Sequence, residues 1–318
     1  MKIVVLEGNA AGQGVSWDGL HKYGDVTVYP GLSQKEVREK IADADVIVPN
    51  KLVIDESVLA GSKVRLVCEA ATGYNNIDIA YCKAHGIQVT NVRNYSTDSV
   101  AQHTMALVLA VSERLAYYDR YVKDGSYAAG TSFSHVAHNF HELAGKTFGI
   151  VGLGNIGRRV AQMAEVFGCQ VIYYSASGHS YDVPYTQVSF DELLTRSDIL
   201  TVHCPLTEQT RHLFTYDAFV KMKPEAVFVN VARGPVVCEA DLARAVEEEQ
   251  IAGAGLDVFE TEPMPVDSPL LSVRKQDHLV MVPHIGWGAL EARQRLIADI
   301  EHSISCFMRG ENIPAQIV

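Results

Sequence analysis

Short runs rich in β-branched residues recur through the N-terminal part of the chain: "KIVVLEG", "VTVYP", "DVIVPN", "VRLVCEA" and "IQVTNV". Between them, "SQKEVREKIADA" and "NNIDIAYCKAHG" space their apolar residues three to four apart, and the second ends on a glycine. Continuous apolar strands alternating with amphipathic helices predict a parallel sheet covered on both faces. A second series of the same kind begins near residue 146 with "KTFGIVGLG", followed by "QVIYY", "DILTVHCP", "AVFVNVA", "GAGLDVF" and "HLVMVPH". The fold class expected is therefore α/β, with two doubly wound parallel-sheet domains. Residues 96–125, "STDSVAQHTMALVLAVSERLAYYDRYVKDG", separate the two series. Ser96 or Thr97 can cap a helix there, and the helical spacing continues, so the segment predicts one long spine. A second long helical pattern, "GALEARQRLIADIEHSISCFMRG", ends the chain. Two long helices on either side of the second series imply that residues 98–285 are inserted into a domain made of 1–97 plus 286–318. A cleft near residues 97 and 285 would put His284, in "VPHIGWG", on its lip.

A length of 318 residues agrees with two domains, and 47% hydrophobic content is ample for two cores. The formal net charge of −11 weighs against nucleic acid as a partner, because phosphate binding needs clustered cations. It leaves room for a small anion held by a few local cations. Six cysteines, at 68, 82, 169, 204, 238 and 306, are scattered without a CxxC pair, as in a reducing compartment. The apolar part of "MKIVVLEGNAAGQG" is too short for a signal peptide, and no run is long enough to span a membrane. A cytoplasmic protein without a membrane or nucleic-acid partner is the expectation.

Chemistry first becomes visible in "TFGIVGLGNIGRRVAQMAEVFG", where Gly152-x-Gly154-x-x-Gly157 follows a strand and opens a helix. In that context Gly152 permits a tight turn, Gly154 lets backbone approach a pyrophosphate, and Gly157 lets the helix pack on the sheet. Amides near Asn155 and Ile156 would offer the helix N-terminus to the anion. The next strand should end in an acid if the ligand is NAD, but Ser175 stands there, followed by Ala176, Ser177 and Gly178. No Arg or Lys follows to meet a 2′-phosphate, and His179 is a weak substitute. The reading is NAD, with NADP left open.

Three later strand ends carry polar groups. Arg233 follows "AVFVNVA", Asp257 ends "GAGLD" with Glu262 after a turn, and His284 follows "LVMVP". Groups at the carboxyl ends of parallel strands converge on the crevice that holds the dinucleotide. An Arg there would grip a substrate carboxylate in a fork, a His would hand a proton to an oxygen, and a carboxylate would orient the imidazole and favour its charged form. Asp257 could instead only cap its turn.

"GLGNIGRRVA", "VARGPVV", "LDVFETEP" and "PHIG", in this order, resemble the D-isomer-specific 2-hydroxyacid dehydrogenases, nearest the glycerate dehydrogenase and hydroxypyruvate reductase branch. The resemblance covers nearly the whole chain, including "ATGYNNIDI" and "SVAQHTMALVLA". It implies a Rossmann dinucleotide-binding domain inserted into a flavodoxin-like substrate domain. It implies a catalytic set of Arg233, Glu262 and His284, with Glu260 a nearby decoy because the acid of interest stands just before proline. It places Lys51, Thr72, Gly73, Tyr95, Arg233 and Trp287 against the substrate. The cofactor contacts it implies, beyond the glycine loop and Ser175, are Thr104, His203, Cys204, Pro205, Val231, Asp257 and Gly286. Glu262 argues against formate as substrate, since formate dehydrogenases carry Gln there, and Gln102 departs from the family's usual Glu. Trp287 would narrow the pocket towards a small 2-hydroxy or 2-keto acid such as glycerate, hydroxypyruvate or glyoxylate, or it anchors the last helix. D-lactate-type or phosphoglycerate-type substrates are the alternatives, as is an NAD-responsive corepressor-like protein of the same fold. The aromatic segment 119–146 resembles the arm that wraps a second subunit, which implies a homodimer. Its histidines 135, 138 and 141 lack an acidic companion at ligand spacing, so no metal site is expected.

Overall fold

Both apolar series form parallel sheets in the computed structural model, which describes residues 1–318. The chain divides into two units, Met1–Ser96 with Gly288–Val318, and Thr97–Trp287. Gly286 and Trp287 thus fall with the inserted unit.

In the first unit the strands β1 (Lys2–Val5), β2 (Asp25–Val28), β3 (Val46–Val48), β4 (Leu66–Cys68) and β5 (Gln88–Thr90) lie in the order β2-β1-β3-β4-β5, all parallel. That is the flavodoxin-like order, whose ligand crevice lies outside the carboxyl ends of β1 and β3. Every residue of β3 and β4 is buried, because helices cover both faces. Of the short helices α1 (Gln34–Ile41), α2 (Glu56–Leu59) and α3 (Ile79–Ala84), the first begins with a Ser33–Glu36 capping box. The C-terminal helix, Leu290–Arg309, stops at Gly310 in the left-handed conformation. The last residues then pair with β5, Ile317 N–H donating to Val89 O at 2.8 Å and Val89 N–H to Val318 O at 3.1 Å, which covers an open sheet edge.

The second unit opens with α4 (Thr97–Ser112), α5 (Leu115–Lys123) and α6 (Ser126–Ala129). The single spine expected from the periodicity is therefore corrected to separate helices. Arg114 breaks it, with φ 55° and ψ 38°, and its buried guanidinium donates to Ala252 O at 2.6 Å and Asp277 O at 3.0 Å. Those carbonyls need a donor, and the turned backbone at Arg114 brings one to them. The sheet behind holds β6 (Thr147–Val151), β7 (Gln170–Tyr174), β8 (Thr186–Gln187), β9 (Ile199–Val202), β10 (Val227–Asn230), β11 (Gly253–Leu256) and β12 (Leu279–Met281), in the order β12-β11-β10-β9-β6-β7-β8. All neighbours are parallel, and the order reverses between β6 and β9, the Rossmann switch point. Helix α4 crosses β11 closely enough that a Cβ at Gly255 would stand 3.1 Å from Leu107 Cβ. The remaining helices are α7 (Asn155–Val166), α8 (Phe190–Arg196), α9 (Tyr216–Lys221) and α10 (Glu239–Glu247).

Candidate active site

The glycine loop sits where β6 ends and α7 begins, with Gly154 as the N-cap and Asn155 and Ile156 opening the helix. Gly152 has φ +89°, and a Cβ on it would stand 2.8 Å from Cys204 N, in the turn after β9. A Cβ on Gly157 would meet Gly152 O at 2.2 Å, so helix and loop touch through bare backbone. Gly154, in contrast, has nothing within 4 Å of its missing side chain. A tight turn, a close helix and one open glycine at a helix N-terminus fit a dinucleotide pyrophosphate.

Across the switch point, the His203 imidazole contacts Thr201 Oγ1 at 3.0 Å through Nε2, while its Nδ1 is shut from solvent without a partner. Burial pushes this imidazole down to about 3, so it is neutral at physiological pH. Burial likewise pushes the Cys204 thiol up to about 11, leaving an inert thiol beside Pro205. Ser175 is buried after β7, with its hydroxyl 3.3 Å from that of Ser177. Arg158, which the sequence reading passed over, holds its guanidinium 4.7 Å from the ring centre of Tyr181. Thr104 is fully buried and its hydroxyl is already donated to Val100 O at 2.8 Å.

Strands β10, β11 and β12 end in register, Asn230 against Leu256 and Leu256 against Met281. The three chemical groups follow those ends. Val231 is buried, and Asn230 shapes the next turn by donating to Arg233 O at 3.0 Å and accepting from Ala232 N at 3.0 Å. The Arg233 side chain is half-buried and gives one N–H to Ala232 O at 2.7 Å, so four guanidinium N–H groups remain for a ligand. Gly234 beside it allows the turn after β11 to press in, since a Cβ there would lie 1.9 Å from the Phe259 carbonyl and 2.4 Å from Glu260 N.

Glu262 ends that turn. Its Oε1 accepts Phe259 N–H at 3.0 Å, and its Oε2 lies 2.7 Å from Nδ1 of His284. A carboxylate can only accept, so Nδ1 carries a proton and Nε2 is the nitrogen that exchanges one. His284 itself has φ +53°, an uncommon conformation for a residue with a Cβ. Asp257 supports that conformation from below, because its two oxygens accept Ile285 N–H at 2.6 Å and Gly286 N–H at 2.9 Å. Ser99 donates to Gly286 O at 2.5 Å, and His103 Nε2 lies 3.4 Å from Asp257. Asp257 thus caps the turn that carries the histidine, and its side chain is only 3% exposed. Sequence reading held both roles open for Asp257 and missed His103 and Ser99, whose only signal was a polar residue on an apolar helix. Trp287 packs its indole on the hydrophobic cluster under α4.

In the first unit, Lys51 is exposed on the loop after β3, and Glu7 fixes that loop by accepting the N–H groups of Asn50, Lys51 and Leu52 at 2.7, 2.9 and 3.2 Å. Thr72 is tied by its hydroxyl to Val92 O at 2.9 Å, while the amides of Thr72 and Gly73 meet no protein acceptor. Beneath them Glu69 is fully buried and accepts from Asn76 at 3.2 Å, and burial holds its carboxyl well above the usual range. Tyr95 is buried, with its carbonyl receiving Arg295 Nε at 2.9 Å.

Residues 105–286 match the family model described as D-isomer specific 2-hydroxyacid dehydrogenase, NAD binding domain. The chain is 34% identical over 98% of its length to a hydroxypyruvate reductase from Blautia hydrogenotrophica, covering 98% of that protein. It is 36% identical over 90% of its length to a glyoxylate reductase from Korarchaeum cryptofilum, covering 86% of that protein. The crystal structure of a D-lactate dehydrogenase from Aquifex aeolicus, complexed with NAD and lactic acid, superposes with a TM-score of 0.83 at 27% identity, over 97% of this chain and 96% of that one. Glycine loop, parallel-sheet order and overall likeness agree: the chain belongs to the D-isomer-specific 2-hydroxyacid dehydrogenases, NAD(P)-dependent oxidoreductases.

Proposed function

We propose that the protein reduces a small 2-keto acid, hydroxypyruvate or glyoxylate, to the D-2-hydroxy acid in the cytoplasm as a homodimer. The observation that carries the reading is the 2.7 Å contact between Glu262 and His284 at the carboxyl edge of the dinucleotide-binding sheet, one strand from the Asp257 turn and two from Arg233. The names of the two curated relatives support the substrate class. Bound NADH supplies the hydride. Arg233 receives the substrate carboxylate in its planar fork and polarises the carbonyl beside it. His284, protonated and steered by Glu262, gives its Nε2 proton to the carbonyl oxygen as the oxygen gains charge. Assignment of Lys51, Thr72, Gly73, Tyr95 and Trp287 to the substrate rests on the family resemblance, to which the unengaged Thr72 and Gly73 amides add support.

The test is a panel of hydroxypyruvate, glyoxylate, pyruvate and phosphohydroxypyruvate crossed with NADH and NADPH. The first two acids are expected to give the highest kcat/KM. A preference for pyruvate or phosphohydroxypyruvate would replace the substrate assignment while leaving the reaction class. NADH is the favoured cofactor, and Ser175 at an acid-free strand end is the reason NADPH belongs in the panel.

The dimer reading draws on the arm beyond α6. Phe133, Val136 and Phe140 are 92%, 75% and 51% exposed, apolar side chains that a second chain would cover. Light scattering is expected to give about twice the 34.8 kDa chain mass. Replacing Phe133 and Phe140 together by serine should release monomers; an unchanged mass would remove the arm from the interface.

A further inference from the structure

We propose that Glu239 is a positioning residue for the Glu262–His284 pair: with Glu260 it ties the turn that carries Glu262 to the start of α10. The inference rests on the reading of that pair as the proton donor and its partner.

The tie is reciprocal. Glu239 Oε1 accepts Glu260 N–H at 2.6 Å, and Glu260 Oε1 accepts Glu239 N–H at 2.8 Å. Each carboxylate therefore satisfies the other's backbone. For α10 this matters, because its N-cap, Cys238, makes no side-chain capping bond and the helix start is served by Glu260 from outside. Ser268 adds a contact to Glu239 Oε2 at 3.3 Å. Two residues beyond Glu260, Glu262 reaches His284, and the Gly234 backbone blocks the turn on its other side. The turn is held between α10 and the strand end that carries Arg233, so its position fixes where Glu262 can meet the imidazole.

Stability alone is a poor reason for this arrangement. Glu239 is only 8% exposed, and burial raises its carboxyl, helped by Glu260 and Glu262 and opposed by the Glu260 amide and Ser268. Asp241 and Cys238 stand on its own side, and His212 Nε2 lies 3.6 Å from Glu260. Three acids crowded at a helix start cost folding energy, which a site tolerates where they hold chemistry in place.

The experiment compares Glu239→Ala, Glu239→Gln and Glu260→Ala with the wild type, measuring kcat and KM for keto-acid reduction and the affinity for NADH. Glutamine can still accept Glu260 N–H, so E239Q is expected to stay near wild type. E239A should lose about 10-fold or more in kcat, since a misplacement near 1 Å costs up to about 100-fold. NADH affinity should hold, so that the loss falls on kcat and not on cofactor binding. Glu260 is exposed, so E260A keeps the test alive where E239A fails to fold, and it should show the same split. Wild-type kcat in E260A and in folded E239A would overturn the inference, as would an E239Q as impaired as E239A. Should His284→Ala and Glu262→Gln also keep wild-type rates, the failure belongs to the parent reading.

Discussion

His284→Ala is expected to lower kcat for keto-acid reduction by roughly 10²- to 10⁴-fold, the contribution of a positioned general acid. Three features of the structure demand a loss of that size. The imidazole is oriented through Nδ1 by Glu262 at 2.7 Å, which leaves Nε2 as the donor. Its backbone is held at φ +53°, a conformation that hydrogen bonds from the Ile285 and Gly286 N–H groups to Asp257 support. Its side chain is still 25% exposed, so it is oriented without being sealed away. The bonds that hold this turn run from the Ile285 and Gly286 amides to Asp257 and not to the imidazole, so folding and NADH binding should change little. A variant that retains wild-type turnover would make His284 a turn residue and nothing more.

Arg233→Ala is expected to raise KM and lower kcat together. A hydrogen bond to a charged group contributes about 1.5–3 kcal/mol, so losing a two-pronged grip costs roughly 3–6 kcal/mol, or about 10²- to 10⁴-fold in kcat/KM. Arg233→Lys should recover little of this, because an ammonium cannot reproduce the planar fork. Asn230 holds the Arg233 carbonyl and the Ala232 amide independently of the guanidinium, so the backbone should survive both changes. A drop in kcat/KM smaller than about tenfold, where one charged contact alone exceeds that, would place the substrate carboxylate elsewhere.

Much of this was legible in the chain because the determinants are local. Strands such as "VFVN" and "LVC" announce a covered parallel sheet by their continuous apolar character, and a strand–glycine–helix junction has a narrow physical meaning. Arg233, Glu262 and His284 were singled out because each follows an apolar strand within a few residues. What stayed hidden depends on partners far away in sequence. The break at Arg114 leaves the helical periodicity intact, and it is set by carbonyls at 252 and 277. The Glu239–Glu260 tie spans twenty-one residues, and the sequence reading set Glu260 aside as a decoy for Glu262. The strand β8 is two residues long, too short for any alternation to register. Arg158 reads as one of a basic pair on an exposed helix face, and only the folded chain sets it over the ring of Tyr181, in the segment between β7 and β8.

The most direct measurement is the crystal structure of the protein with NAD and oxamate, a non-reducible analogue of a 2-keto acid. The expected complex has the oxamate carboxylate forked by Arg233 and its carbonyl oxygen about 3 Å from Nε2 of His284, with Glu262 still on Nδ1. Oxamate bound away from these side chains, or a His284 ring turned from the ligand, would contradict the assignment.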